Sequence, residues 1–297
     1  MPITSTDKYK EDTLGKRKKK KKCPKIAEIA DRHVLYQKSV QGPEDDIPFF
    51  EYHYELYTGK KLRNFREDFC GTAYLSTYFV AHHRNNRAVG VDFHWPTLEW
   101  GIKHNVSRLT PKEKEGLILV HGNVLDRHRS QAQMTVAMNF SYMVFKERPL
   151  LLKYFKRARQ ALQRGGMFMV DIWGGSETFV LQEEPRKVKN ADDDGIGDFT
   201  FIWDQDIFDP ASHFYTCRIH YAFQDGSELR NAFVYDWRLW NMPEVMEVMR
   251  EAGFEDVHFL WEGTDKKTGK GTDTYHRVKK GEADTAWIAY IIGINPK

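Results

Sequence analysis

From residue 62 onward the chain alternates two apolar patterns. Short apolar-rich runs stand at 64–69, 87–91, 117–120, 134–138 and 167–172. Between them apolar positions recur at helical spacing, over about 74–83, 96–107 and 149–162. Short runs bounded by turn residues predict strands, and the longer periodic stretches predict helices. Strands alternating with helices of this length imply right-handed crossovers and a mostly parallel sheet. Gly165-Gly166 supplies the turn into the fifth strand.

The pattern then changes. Over 199–237 apolar and polar residues alternate in short runs at 199–203, 214–221 and 232–237, with turn signals at Asp209-Pro210 and Asp225-Gly226-Ser227. This predicts an antiparallel meander inserted into the α/β unit. Residues 183–198, acidic and glycine-rich in part, predict a mobile loop. A helix over 243–252 starts with a proline and is closed by Gly253. Runs at 257–261 and 286–292 predict the last two of seven strands, with polar, loop-like sequence at 263–284 between them.

Ahead of the sheet, residues 26–61 predict helices interrupted near Gly42-Pro43. Ile26, Ile29 and Ala30 form one apolar side, and Phe49, Phe50, Tyr52, Tyr54 and Tyr57 a dense aromatic patch. The segment reads as a helical layer packed on the domain, or as a lid over a ligand pocket. Residues 1–25 hold ten Lys/Arg against three Asp/Glu, with an unbroken basic run from Lys16 to Lys22. Like charges in a row repel and stay hydrated, so this reads as a disordered arm.

Charge refines the picture. The arm carries a surplus of seven positive charges and the whole chain only +3, so residues 26–297 carry −4. A mildly acidic body argues against a broad nucleic-acid surface on the fold itself. Nucleic acid enters only as a secondary partner, through the arm, which also fits a nuclear import signal. No run approaches the length of a membrane helix, and the polar, then basic start predicts no signal peptide. Cys23, Cys70 and Cys217 are scattered and show no metal-ligand spacing. They suggest a reducing compartment, the cytoplasm, and no metal site is expected.

Candidate chemistry sits at strand ends. A nucleotide over a doubly wound sheet needs a sharp turn after the first strand and an acid ending the second. Asp92 directly follows 87–91 and meets the second need; it also reads as a helix cap ahead of Pro96. Glu67, Phe69, Cys70, Gly71 and Thr72 form the first turn. Asp68 either faces a ligand or pairs with Arg66. A pyrophosphate cradle would need glycines or basic groups here. The turn offers one glycine and two carboxylates, which suit a cationic ligand and repel a diphosphate. Asn123 and Val124 follow the third strand, where the residues by themselves read as a turn built from Gly122 and Asn123. Asn139 and Tyr142 end the fourth strand, as site residues or as a strand-end turn. Asp171 ends the fifth. The meander offers Trp203, Tyr215, Arg218, His220 and Arg238, as a roof over a substrate or as sheet packing and surface pairs. Alternation puts Tyr215, Cys217 and Ile219 on one face and Arg218 and His220 on the other.

Taken together, residues 62–293 resemble the class I, Rossmann-like S-adenosylmethionine-dependent methyltransferases. They are most similar to a subgroup marked by Arg-Glu-Asp-Phe-Cys-Gly-Thr (66–72), Asn-Phe-Ser-Tyr (139–142) and Asp-Trp-Arg-Leu-Trp (236–240). The family pattern is acid-x-Gly-x-Gly-x-Gly. Here Phe69 replaces the first glycine, which predicts a different entry into the turn, and Ala73 replaces the third, a mild change because a methyl often fits. The resemblance implies a seven-stranded sheet, mostly parallel with an antiparallel last strand. It also implies S-adenosyl-L-methionine as cofactor, held by Glu67, Phe69, Cys70, Gly71, Thr72, Asp92, Asn123, Val124 and Asn139. Asn139, Tyr142 and His220 are the implied catalytic residues, with Trp203, Tyr215, Arg218 and Arg238 at the substrate. The expected reaction is methylation of a small molecule, at nitrogen rather than oxygen. RNA or protein methylation through the basic arm is the alternative, with donor binding without catalysis a third reading.

Overall fold

The computed structural model describes residues 24–127, 131–192, 194–265, 267–268 and 271–297. The predicted arm over 1–25 lies outside them, save for its last two residues. Helices α1 (Ile26–Ile29), α2 (Arg32–Ser39) and α3 (Pro43–Thr58) precede strand β1 (Asn64–Asp68). Then come α4 (Tyr74–His82), β2 (Arg87–Asp92), α5 (Trp95–His104), the one-turn α6 (Pro111–Lys114), β3 (Leu117–His121), β4 (Ala132–Ala137), α7 (Arg148–Ala161) and β5 (Leu162–Gly174). Strands β6 (Gln182–Val188), β7 (Phe199–Asp209), β8 (Phe214–Phe223) and β9 (Glu228–Arg238) follow. The last elements are α8 (Met242–Glu251), β10 (Glu255–Thr264), β11 (Gly271–Arg277) and β12 (Trp287–Ile294).

The main sheet has the order β11-β10-β12-β5-β4-β1-β2-β3. Strands β1 to β5 pair in parallel, and β12 enters antiparallel between β5 and β10. The chain reverses its direction across the sheet at β1 and β4. That is the point where such sheets open a crevice at the carboxyl ends of their strands. Helical spacing explains how the layers close. Leu151, Tyr154, Phe155 and Ala158 of α7 are fully buried on one face of the sheet, and all six residues of β4 are buried. On the other face, Ile47, Phe50 and Tyr54 of α3 pack with Phe65 and Phe79.

Two expectations are corrected. The main sheet has eight strands rather than seven, because β11 forms within the stretch predicted as a loop. The meander has four strands in the order β6-β7-β8-β9, because β6 occupies the start of the predicted mobile loop. Both are edge strands with almost wholly exposed, polar side chains. Such strands are held by backbone pairing and carry no apolar alternation to read; Pro185 is tolerated in β6 because an edge strand need not donate on its free side.

The N-terminal helices bind both sheets. The Ile26 and Ala27 amides donate to Asp225 and Ser227 of the meander. Leu35 of α2 is buried among Phe199, Ile219 and Tyr221. Asp31, which caps α2, accepts from Trp100 Nε1 of α5 at 2.7 Å. Ile29 is instead 54% exposed, so the apolar side predicted for α1 is only partly used.

Candidate active site

The carboxyl ends of β1, β2, β4 and β5 make one floor. After β1 the chain turns through Phe69, Gly71 and Ala73, with φ of 59°, 53° and 54°. The three positions thus share the left-handed conformation. Glycine adopts it freely, whereas a side chain there costs roughly 1–2 kcal/mol per residue. The turn is clamped from behind. A Cβ on Gly101 of α5 would stand 2.2 Å from the Thr72 carbonyl oxygen, so only glycine lets the helix come this close. Asn105 Nδ2 donates to the same oxygen at 2.9 Å.

Three carboxylates near the turn have separate jobs. Glu67 Oε2 accepts the Ser76 N–H at 3.0 Å and the Ser76 hydroxyl at 2.5 Å. Ser76 is the third residue of α4, and the preceding Ala73 has no side chain to cap it, so Glu67 caps the helix from the strand. Burial pushes the Glu67 carboxyl up to about 8, helped by the charges of Asp92 and Asp46. Asp68 pairs with the buried Arg66 at 2.7 Å and accepts from Tyr154 Oη at 3.1 Å. Of its two sequence readings, the pairing is therefore the one found. Asp92 Oδ2 accepts the Gly71 N–H and Oδ1 the His94 N–H, each at 2.8 Å. It ties the turn to β2, and the cap position of α5 falls to His94.

These residues line a cavity of about 690 Å³. Glu67, Phe69, Cys70, Gly71, Thr72, Asp92, Asn139 and Asp171 all reach its wall, closed above by Tyr36, Val40 and Asp46 from the N-terminal helices. Gln37 Nε2 donates to Thr72 Oγ1 at 3.0 Å, linking α2 to the turn. Asn139 and Phe140 are both left-handed, with φ of 56° and 57°. Their N–H groups donate to Asp171 Oδ2 at 2.7 Å and Oδ1 at 2.9 Å. Burial pushes the Asp171 carboxyl up to about 7 despite both hydrogen bonds.

A second cavity of about 600 Å³ adjoins the first, under the meander. Asn139, Phe140, Tyr36, Tyr235 and Trp237 line both. Trp173 and Trp203 continue its aromatic wall, their rings 5.8 and 6.2 Å from that of Trp237.

No protein-family model matches the chain, and no curated protein matches it in sequence at a significant level. Solved structures do match. KedS8, a sugar N-methyltransferase from Streptoalloteichus sp ATCC 53650, aligns over 100% of this chain and 99% of its own, with TM-score 0.61 and 14% identity. CalS10, an amino pentose methyltransferase from Micromonospora echinaspora solved with S-adenosylmethionine bound, aligns over 89% of this chain and 95% of its own, with TM-score 0.62 and 10% identity. An S-adenosylmethionine-dependent methyltransferase from Clostridium acetobutylicum ATCC 824 aligns over 89% and 97%, with TM-score 0.57 and 14% identity. The fold is that of the S-adenosylmethionine-dependent methyltransferases.

Within this methyltransferase fold several predicted site residues fall elsewhere. Asn123 is exposed, and its Oδ1 accepts the Leu125 N–H at 2.9 Å, a bond that belongs to a turn. Val124 is buried in the main core. Neither reaches the cavities. Tyr142 is fully buried with its hydroxyl in neither cavity, and burial, with the Asp171 charge, holds that hydroxyl well above its ordinary range. It cannot serve there as a base. Tyr215 is buried behind Trp173, and its hydroxyl donates to the Thr178 carbonyl.

The three meander residues Arg218, His220 and Arg238 face away for a shared reason. Strand alternation gives the cavity Trp203, Gln205 and Ile219, and sends the intervening residues to the opposite side. There Arg218 pairs with Asp206 at 2.7 Å. Arg238 lies over Trp240 and donates to the Lys146 carbonyl and Glu244. His220 lies 3.0 Å from Asp204 Oδ2 through Nε2, and its Nδ1 accepts the Asn231 N–H. Glu183 completes a group whose ligand atoms lie within 4.8 Å of one another, which sequence spacing did not show. With Nδ1 accepting, the ring proton sits on Nε2 and points at Asp204, so that nitrogen has no lone pair for a cation.

Asp46 and Tyr36 are cavity residues that the sequence reading missed. Asp46 follows Pro43 in the first turn of α3, where an acid reads as a partner of the helix dipole. Tyr36 has no local signal at all; only the docking of α2 brings it in.

Proposed function

We propose that this chain is an S-adenosylmethionine-dependent methyltransferase acting on a small molecule, at nitrogen rather than oxygen. The observation that carries the reading is the meeting of two cavities at Asn139 and Phe140. One chamber suits the donor. Its wall holds the carboxyl groups of Asp46, Glu67, Asp92 and Asp171 against Arg186, His33 and His94, while Asp68 is already paired with Arg66; Asp92, together with raised carboxyls that a cation would ionise, favours a sulfonium and an ammonium over a diphosphate. Asp92 accepts from ribose hydroxyls, Glu67 faces the amino-acid end, and the backbone of 69–72 lies along the ligand. The other chamber takes the acceptor, roofed by the meander, with helices α1 to α3 as the lid.

The nitrogen lone pair attacks the sulfonium methyl in line. The N–C bond forms as the S–C bond breaks, and that electron pair stays on sulfur. The protein contributes positioning and exclusion of water. Asn139 is the residue placed to aim the acceptor. The subgroup marked by 66–72, 139–142 and 236–240 is consistent with this, since those segments build the turn, the junction and the Trp237 wall. The cytoplasm is the proposed compartment; among the described residues no helix is long and apolar enough to cross a membrane.

Calorimetry with S-adenosylmethionine and S-adenosylhomocysteine tests the reading. Heat with both, followed by labelled methyl transfer to an amine, supports it. No heat and no thermal shift at millimolar ligand rejects it. The basic run at 16–22 favours a second reading, RNA or protein methylation. Deleting 1–25 separates the two: a small-molecule enzyme keeps its turnover, and an arm-dependent one loses affinity and salt sensitivity together.

A further inference from the structure

The second cavity has a charge signature that the donor reading does not require. Trp173, Trp203, Tyr235 and Trp237 form one aromatic wall, with Tyr275 and Trp287 also in the lining. Its titratable groups are Glu177, Glu184, Glu262 and Asp273, besides the two tyrosines and Tyr36. Among the described residues no Lys, Arg or His lines it. The meander side chains that would recognise a carboxylate or phosphate, Arg218, His220 and Arg238, lie on the opposite face of the sheet with partners of their own. An anion entering this chamber meets four carboxylates and no counter-charge. A cation meets aromatic faces, which attract it through their quadrupoles, and an acidic rim.

The same arrangement fits the course of methyl transfer. A neutral amine attacks, and the positive charge passes from sulfur to the new ammonium nitrogen. A wall that favours a cation acts more on that developing charge than on the neutral acceptor, which is the differential binding that lowers a barrier. Trp173 adds a polar contact of its own. Its Nε1–H is buried and has no hydrogen-bond partner among the described residues, so it is left to donate to an oxygen or nitrogen on a bound molecule.

We propose that the acceptor chamber is a cation cage, and that the acceptor is an amine carried on an apolar body rather than an amino acid or a phosphorylated amine. As a statement about the acceptor this rests on the methyltransferase reading; as a statement about what the chamber binds it does not.

The test uses the full chain and three probes of similar shape: benzyltrimethylammonium, phenylacetate and benzyl alcohol. Each is titrated by tryptophan fluorescence, with and without S-adenosylhomocysteine. The ammonium is expected to bind at least tenfold more tightly than either of the others. Trp203→Ala should weaken it about tenfold. Glu184→Lys, at an exposed position, should weaken the ammonium several-fold and leave benzyl alcohol unchanged, which keeps the test decisive if the tryptophan variant fails to fold. Phenylacetate binding as tightly as the ammonium overturns the proposal, as does an ammonium affinity untouched by Glu184→Lys. Ammonium binding with no response to S-adenosylhomocysteine by calorimetry sinks the methyltransferase reading and leaves the cage standing.

Discussion

Asp171 holds Asn139 at the junction of the two chambers: its Oδ2 accepts the Asn139 N–H at 2.7 Å, while Oδ1 takes the next N–H along. Two consecutive left-handed residues are an expensive way to end a strand. The carboxylate of the neighbouring strand makes them hold by satisfying both amides in one buried place.

Asp171→Asn keeps the shape and removes one acceptor. One buried N–H then faces an amide NH₂, at a cost of about 1–3 kcal/mol. Thermal unfolding should fall by several degrees. Methyl-donor affinity should fall about tenfold, equivalent to ~1.4 kcal/mol, because Asn139 loses its fixed position. A variant with a lower Tm and an unchanged donor Kd would show that the clamp serves the fold alone.

The turn after β1 makes an opposite pair of predictions. Ala73 is fully buried with φ of 54°, and losing its methyl relieves backbone strain. Ala73→Gly should therefore be neutral or stabilise by up to about 1 kcal/mol. Phe69 has the same strain, but its ring packs against Phe145 and Tyr154 at centroid distances of 5.9 and 5.4 Å. Phe69→Gly should destabilise by about 2 kcal/mol, since lost packing outweighs relief. Chemical denaturation of the two variants checks the contrast.

That contrast also shows where sequence reading reaches its limit. The helices were legible to within a residue or two at most ends, because α4 is a compact apolar run and α5, α7 and α8 carry apolar positions behind a proline at their start. The inner strands were legible for the same reason. Strands β6 and β11 were not, since an exposed edge strand is specified by its neighbour's backbone. At the site, Glu67, Gly71, Asp92 and Asn139 could be placed together because each ends a strand of the parallel sheet. Arg218, His220 and Arg238 could not be judged by residue type, because one step of register decides whether a strand residue faces a cavity or an ion-pair partner. The left-handed φ of Phe69 and Ala73 had no signal in the residue types themselves, only in their alignment with the first and third glycines of the family pattern.

Asp92 carries the most direct test of donor binding. Its carboxylate already receives the Gly71 and His94 N–H groups and keeps lone pairs toward the cavity. Asp92→Ala should weaken donor binding by about 1–3 kcal/mol through unpaired ribose hydroxyls. Asp92→Asn should lose less, since the amide oxygen still accepts. Unchanged calorimetric affinity in the alanine variant would remove Asp92 from the donor site.

Glu67 predicts how the protein responds to pH. Folded Glu67 keeps its proton up to about pH 8, against an ordinary value of 4.5. Across that window the folded state binds more protons than the unfolded one, so stability falls as pH rises through it. Asp171, raised from 3.8 to about 7, acts with the same sign. Glu67→Gln should flatten the slope of Tm against pH and retain what Asp171 contributes. The donor brings positive charge beside the Glu67 carboxyl and favours its ionised form. Donor binding near pH 7 should then expel up to one proton from Glu67, and the calorimetric heat should change with the ionisation enthalpy of the buffer. Glu67→Gln should lose that share of the buffer dependence while still binding the donor. Equal heats in phosphate and Tris for the parent chain would mean that the ligand's charge does not lie against Glu67.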